Sequence, residues 1–138
     1  MADLLKLKQY IKCMLYIKCI LIYGGGPMRN ILTESQILAS AQDYIENFHN
    51  DIVKEASLAI TAHEWVIIGM KQNPVVKKAR KHLKAKGIAY HDIEIGSYFS
   101  KWHVRLAIKL WSGWPTYPQV FHKGKLIGGA SDLIKYLP

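Results

Sequence analysis

Short apolar runs alternate with longer amphipathic stretches through the second half of the chain, and this alternation predicts an α/β fold. Apolar residues recur at helical spacing at Val76, Ala79 and Leu83, with basic residues between them. The pattern predicts these elements in order: strand Trp65–Ile68, helix Val75–Lys86, strand Ala89–Ile95, helix Tyr98–Trp111, strand Gln119–His122, strand Lys125–Gly128 and helix Ser131–Leu137. That order predicts one sheet with helices on both faces.

Residues 28–63 are predicted to be helical. Thr33 and Gln36 have the spacing of a capping box, and apolar residues then recur every three or four positions as far as Ala56. A break near His49–Asp51 is expected to divide this region into two helices. We expect the apolar face to pack on the rest of the domain, with a contact to a partner as the alternative.

Residues 1–27 form an apolar stretch that four lysines interrupt. It is too interrupted to span a bilayer, and it has no typical signal-peptide cleavage site. It is either a basic amphipathic membrane anchor or a leader that precedes a true start at Met28, and we favour the second interpretation. The expected division is therefore 1–27 as an extension, 28–63 as a helical region and 64–138 as the main domain.

The chain is basic, with a formal net charge of +9 over 138 residues. Residues 1–27 hold four lysines and one aspartate, so residues 28–138 keep a charge of +6. This excess favours an anionic ligand, a nucleic acid or an acidic protein partner. Aromatic and basic residues do not interleave as in RNA-binding motifs, so a nucleic-acid partner is disfavoured, and a membrane contact is disfavoured unless the extension is native.

Two cysteines are present, Cys13 and Cys19, and both precede the predicted domain. Two are too few for a disulfide framework, and no histidine follows them at the spacing of a zinc ligand. The histidines at 63, 82, 91, 103 and 122 also lack such a spacing, so no metal site is expected.

The segment Trp114-Pro115-Thr116-Tyr117-Pro118-Gln119 is followed about ten residues later by Gly128-Gly129. With Arg105 and Lys109 upstream, this combination resembles the monothiol subgroup of the glutaredoxins, and the resemblance covers Trp65–Pro138. It implies a thioredoxin-like, three-layer fold with a four-stranded mixed sheet, and a location in the cytoplasm.

Asn73, Pro74 and Val76 stand where the resemblance places the Cys-Pro-x-Cys motif of that family. Asn is a favoured N-cap and Pro is favoured at the first helical position, so the helix can begin here without a cysteine. The thiolate nucleophile is absent, and so is the sulfur with which relatives hold a [2Fe–2S] cluster. No catalytic residue and no iron–sulfur cluster are therefore expected.

The resemblance also implies a glutathione-binding groove made of Lys71, Arg105, Thr116, Tyr117, Pro118, Gly129, Ala130 and Ser131. Residues 116–118 would pair with the ligand backbone next to a cis Tyr117–Pro118 bond. Residues 129–131 would bind the γ-glutamyl carboxylate, and the two basic residues would bind the glycine carboxylate.

The leading hypothesis is a glutaredoxin-like protein that binds glutathione or an extended peptide and acts in binding or regulation. One alternative is a disulfide oxidoreductase whose sulfur comes from Cys13 or Cys19. Another is an interaction module in which the N-terminal helices and the basic surface bind a protein or nucleic acid. Its enzymatic status stays open, with inactivity in thiol–disulfide exchange favoured.

Overall fold

The computed structural model describes residues 31–138, and the chain divides into two units, Met1–Ala39 and Ser40–Pro138. In the first unit the described part contains a short 3-10 helix, Glu34–Gln36. The Gln36 side chain accepts a hydrogen bond from the Thr33 N–H at 3.0 Å, as the capping-box spacing predicts. The predictions for 1–27, for both cysteines and for a start at Met28 lie outside the described residues.

The second unit contains five α-helices and four strands. They are α1 Ala39–Asn47 (whose first residue ends the first unit), α2 Asn50–Ala62, β1 Trp65–Gly69, α3 Pro74–Ala85, β2 His91–Glu94, α4 Trp102–Ser112, β3 Gln119–His122, β4 Lys125–Gly128 and α5 Ala130–Tyr136.

The four strands form one mixed sheet in the order β2-β1-β3-β4. Strand β1 is parallel to β2, whereas β3 is antiparallel to both β1 and β4. Helices α2 and α4 pack together, and α3 packs with α5. Every residue of β1 is buried, which explains why its sequence is apolar throughout instead of alternating. The predicted fold class is confirmed.

The core lies between the sheet and its helices. Val76, Ala79 and Leu83 of α3 are fully buried, as their helical spacing predicts, and they belong to one cluster with β1. Burying side chains of the size of Val or Leu contributes about 1.5–3 kcal/mol each, so this one face is enough to fix α3 against the sheet.

The predicted helix over residues 28–63 is interrupted more than the sequence suggested. Residue Ile37 is extended, and α1 begins only at Ala39. The predicted break near His49 is confirmed, because His49 has φ 46° and separates α1 from α2. Within the described part of the chain, no helix is both long and apolar enough to cross a bilayer.

Helix α4 begins at Trp102, four residues later than the prediction of Tyr98. The Ser97 N–H donates to the Ser100 hydroxyl at 3.0 Å, and the Ser100 N–H donates to the Ser97 carbonyl at 3.3 Å. These bonds close a turn that competes with a helix over the same residues. Gly96 has a φ of 57°, which other residues rarely adopt, and a Cβ there would also lie 2.7 Å from the Ser100 hydroxyl oxygen.

Candidate functional site

The predicted site residues meet at one edge of the sheet. Ile68 near the end of β1 pairs with Gln119 at the start of β3, and Val120 pairs with Gly128 at the end of β4. The loop after β1 is joined to the loop after β2, since the Lys71 N–H donates to the Gly96 carbonyl at 3.1 Å. The Asn73 loop, the Pro118 segment and the Gly128-Gly129 turn therefore share this edge.

Asn73 caps helix α3. Its side-chain oxygen accepts hydrogen bonds from the N–H groups of Val75 at 2.9 Å and Val76 at 3.2 Å. The residue is 8% exposed, and Pro74 occupies the first helical position. The capping role predicted from the sequence is thus present, and the two amides at the start of α3 are already bonded by the protein itself.

Val76, in the position of the second cysteine, points into the core. It is completely buried, and its γ-carbons lie 2.7 Å from where a Cβ on Gly69 would stand. Only glycine at position 69 allows this close approach of β1 to α3. This position serves packing.

The hydroxyl and the ring of Tyr117 both contact helix α4. Its hydroxyl donates to the Arg105 carbonyl at 2.6 Å, and the Lys109 ammonium nitrogen lies 5.6 Å from the ring centroid. Burial raises the pKa of the Tyr117 phenol far above its ordinary value, and the positive charge of Arg105 only partly offsets this. The phenol is therefore a fixed hydrogen-bond donor near neutral pH.

The Tyr117–Pro118 peptide bond is cis. Thr116 is exposed, whereas Tyr117 and Pro118 are buried. Among residues 31–138, no partner accepts from or donates to the main-chain groups of Thr116 and Tyr117. This short segment therefore has free backbone hydrogen-bonding groups next to β3.

Arg105 organises the loop before α4. Its guanidinium donates to the carbonyls of Ser97 at 2.7 Å, Tyr98 at 3.3 Å and Ile95 at 3.4 Å, and also to the Ser100 carbonyl. The residue is 9% exposed. Most of its hydrogen-bonding capacity is therefore used inside the protein, which is a task that the sequence did not reveal.

Helix α5 starts at the Gly128-Gly129 turn. The Asp132 carboxylate accepts a hydrogen bond from the Gly129 N–H at 2.9 Å, and it lies 2.6 Å from where a Cβ on Gly128 would stand. The amide of Gly129, one of the three predicted to bind the γ-glutamyl carboxylate, is thus already bonded to Asp132. No described residue accepts a hydrogen bond from the other two, the amides of Ala130 and Ser131.

The comparisons with known proteins agree with this geometry. A sequence model of the family described as Glutaredoxin matches residues 66–127. A "Glutaredoxin-like protein" of Dictyostelium discoideum is 45% identical over 109 residues, which is 79% of this chain and 87% of that protein. The chain belongs to the glutaredoxin family.

Two further relatives of this glutaredoxin-family chain match over smaller shares of their own length. "Monothiol glutaredoxin-S17" of Arabidopsis thaliana is 29% identical over 133 residues, 88% of this chain and 25% of that protein. Human "Glutaredoxin-3" is 49% identical over 49 residues, 34% of this chain and 14% of that protein. The chain therefore spans only part of the longer relatives.

Solved glutaredoxins share the fold. The buckwheat glutaredoxin–glutathione complex aligns with a TM-score of 0.58 at 22% identity, over 65% of this chain and 82% of that one. Reduced glutaredoxin C1 from poplar aligns with the same TM-score at 21% identity, over 67% and 79%. At this level of identity the likeness establishes the thioredoxin-like fold, including the arrangement of strands.

Arg80 supports the site, a role that the sequence did not reveal, because Arg80 is one of several basic residues between the apolar positions of α3. Its Nε lies 3.1 and 3.0 Å from the two carboxylate oxygens of Asp92 on β2. One terminal nitrogen donates to the carbonyls of Met70 and Lys71, each at 3.4 Å. Arg80 thereby holds the loop that leads to Asn73. Its position next to the buried Ala79 was the available signal.

The motif residues Trp114 and Gln119 fix the entry to β3. The fully buried Gln119 donates from its amide nitrogen to the Trp114 carbonyl at 3.2 Å. The Gln119 side-chain oxygen and the Trp114 indole nitrogen are buried, and neither has a partner within residues 31–138.

No three His, Cys, Asp or Glu side chains of the described residues are grouped to hold a metal.

Proposed function

We propose that this glutaredoxin-family protein binds glutathione or an extended peptide and acts in binding or regulation, without thiol–disulfide exchange. The observation that carries the proposal is the Asn73 side chain, whose oxygen accepts from two backbone amides at the start of α3. An amide oxygen cannot attack a disulfide, and Val76 has no sulfur to resolve one. Residues 20–138 contain no cysteine at all.

An iron–sulfur cluster does not fit this site. Cysteine thiolates hold such clusters, and the side chain in the first cysteine position is an asparagine whose oxygen already accepts two hydrogen bonds. The second position is the buried Val76. The proposal therefore includes no redox cofactor.

The free backbone of residues 116–117 supports the binding part of the proposal. An extended ligand can pair with main-chain N–H and C=O groups in the manner of an added strand. The exposed Lys71 lies in the adjoining loop, and its ammonium group forms no ion pair with any described residue. A fold neighbour, buckwheat glutaredoxin, was solved as a complex with glutathione.

The ligand carboxylates would bind at two places in this proposal. Lys71 supplies a positive charge for the glycine carboxylate, and the amides of Ala130 and Ser131 supply donors for the γ-glutamyl carboxylate. Asp132 already holds the Gly129 amide, so this second place offers fewer donors than the sequence motif implied. Arg105 contributes by shaping the loop beside the groove.

Calorimetric titration of the full chain with reduced glutathione tests the proposal. We expect saturable binding, and we expect Lys71→Ala to weaken it by a factor of about 1.4 to 5, because an exposed ion pair contributes about 0.2–1 kcal/mol. Lys84→Ala is the matched control, since Lys84 is an exposed lysine near the other end of α3. Its affinity should equal that of the unmodified chain.

Absence of saturable binding at millimolar glutathione would contradict the proposal, as would equal losses in the two lysine variants. A location in the cytoplasm is part of the same proposal, because glutathione keeps thiols reduced in that compartment. Fractionation of cells that produce the tagged protein, with recovery only outside the cytoplasmic fraction, would exclude that part.

A further inference from the structure

Helix α4 has an apolar stripe that faces solvent. Trp102, Leu106 and Leu110 are spaced four residues apart and are 57%, 37% and 68% exposed. The face that packs on the core contains Val104, Ile108 and Trp111. A helix that only covers a sheet has polar residues on its outer side, so this stripe indicates that a partner packs against it.

The stripe continues onto the helix beside it. Helix α2 packs against α4, and its outward residue Leu58 is 70% exposed. Where the two helices begin, the rings of His49 and His103 stack with centroids 6.2 Å apart. We define the α2–α4 face as the outer surface of these two helices with the end of α1. Several large apolar residues on one such face are typical of a protein interface.

Charge is divided across this face. Helices α1 and α2 bear four acidic side chains and a single basic one: Asp43, Glu46, Asp51, Glu55 and Lys54. Helix α4 and the loop before it, residues 96–112, contain no acidic residue. They contribute the exposed Lys101 at the start of the stripe and Lys109 next to Leu110, with the Lys109 ammonium 5.6 Å from the Tyr117 ring centroid, while Arg105 points inward to the loop carbonyls. One half of the face is therefore acidic and the other half basic.

We propose that the α2–α4 face binds a second copy of this chain. In a two-fold dimer each patch meets its equivalent, so residue i contacts j while j contacts i. An axis that passes between α2 and α4 places the acidic half of each copy over the basic half of the other, twice. The same packing removes Trp102, Leu110 and Leu58 from water.

Other occupants match the charges less well. Residues 1–30 contain five basic residues and one aspartate, so they would complement the acidic half of the face but be repelled by its basic half. An anionic bilayer or an acidic protein segment would attract α4 but would meet the four acidic side chains of α1 and α2. Only a surface with both signs complements the whole face, and the chain itself has one.

Sedimentation velocity of the full chain over a range of concentrations tests this proposal. We expect a concentration-dependent dimer, and we expect Leu110→Glu to raise its Kd by about tenfold or more, because it buries an unpaired charge among apolar side chains. Val75→Glu is the matched control, since Val75 is an exposed apolar residue on α3, which packs with α5 away from α2 and α4. It should dimerise like the unmodified chain, and circular dichroism should show both variants folded.

A charge-reversal set identifies the partner as a second copy. Glu55→Lys and Lys101→Glu should each weaken the dimer, and the double variant should recover part of the lost affinity, because opposite charges face each other again. A monomer at all concentrations would overturn the proposal. So would a dimer that Leu110→Glu leaves intact, or binding to phosphatidylserine vesicles by a monomer that Leu110→Glu abolishes, which would assign the face to a membrane.

Discussion

The two helices that begin at the candidate site, α3 and α5, are capped in different ways. At α3 the cap comes from the preceding residue, and the Asn73 oxygen takes the amides of both Val75 and Val76. At α5 the cap comes from inside the helix, and Asp132 takes only the Gly129 amide. At the start of α3 the amides are bonded to the Asn73 side chain, whereas at the start of α5 the amides of Ala130 and Ser131 have no partner among the described residues. Of these two helix starts, only α5 therefore has main-chain donors that the described residues leave free, which is where the proposed function puts the γ-glutamyl carboxylate.

The largest effect should come from restoring sulfur at the α3 start. Asn73→Cys is expected to give glutathione-dependent disulfide reductase activity, which the proposed function does not expect of the unmodified chain, because a helix N-terminus lowers a thiol pKa below its usual value of about 8.5. The rate of alkylation against pH measures that pKa. Val76→Cys is the control, since a buried thiol there should stay inactive. An Asn73→Cys protein that is folded and binds glutathione but stays inert would contradict the prediction.

Removing the two caps should separate their roles. Asn73→Ala is expected to destabilise the protein by about 1 kcal/mol through loss of the cap, and Asp132→Ala by a similar or smaller amount because it serves one amide. Only Asp132→Ala should improve glutathione affinity, since it frees the Gly129 amide and removes a negative charge. Chemical denaturation and calorimetry measure the two quantities. Tighter binding in Asn73→Ala instead would place the ligand carboxylate at α3.

The smallest effect concerns Tyr117, which contacts Arg105 and Lys109 of α4 instead of either helix start. Its pKa is raised in the folded protein, so its contribution to stability is complete below the unfolded pKa of about 10 and is lost as the pH rises above that value. The unmodified chain should lose more stability than Tyr117→Phe as the pH rises from about 10 to about 11, because its raised pKa keeps the folded-state phenol protonated while the unfolded-state phenol ionises. Denaturant titrations at several pH values check this. Parallel stability curves would mean that the Tyr117 phenol does not stay protonated.

Local patterns were enough to predict most of the fold. The limits of β3 and β4 were predicted correctly, and those of β1 and α3 lie within one residue, because apolar runs and the Asn73-Pro74 start are local signals. The start of α4 was wrong by four residues. There the loop is fixed by the Ser97–Ser100 turn and by Arg105, whose acceptors become apparent only once the chain has folded.

The sequence predicted which residues lie at the site, but it predicted less well what each side chain binds. The residues of the motif do converge on one sheet edge, but Arg105 and Arg80 use their guanidinium groups to hold loops. Sequence spacing alone cannot distinguish an arginine that faces a ligand from one that binds carbonyls. The sequence left open whether Ser131 or Asp132 caps α5, and the structure shows that Asp132 does so by accepting from the Gly129 N–H.

Arg105 gives the molecule a built-in connection between its two proposed surfaces. Its carbonyl accepts the Tyr117 hydroxyl at the sheet edge, while its guanidinium fixes the loop that leads into the α2–α4 face. If both proposals hold, ligand occupancy and self-association are linked equilibria. By reciprocity, glutathione would change the dimer Kd by the same factor by which dimerisation changes the affinity for glutathione. Sedimentation with and without saturating glutathione measures that factor, and a value of one would mean that Arg105 transmits nothing.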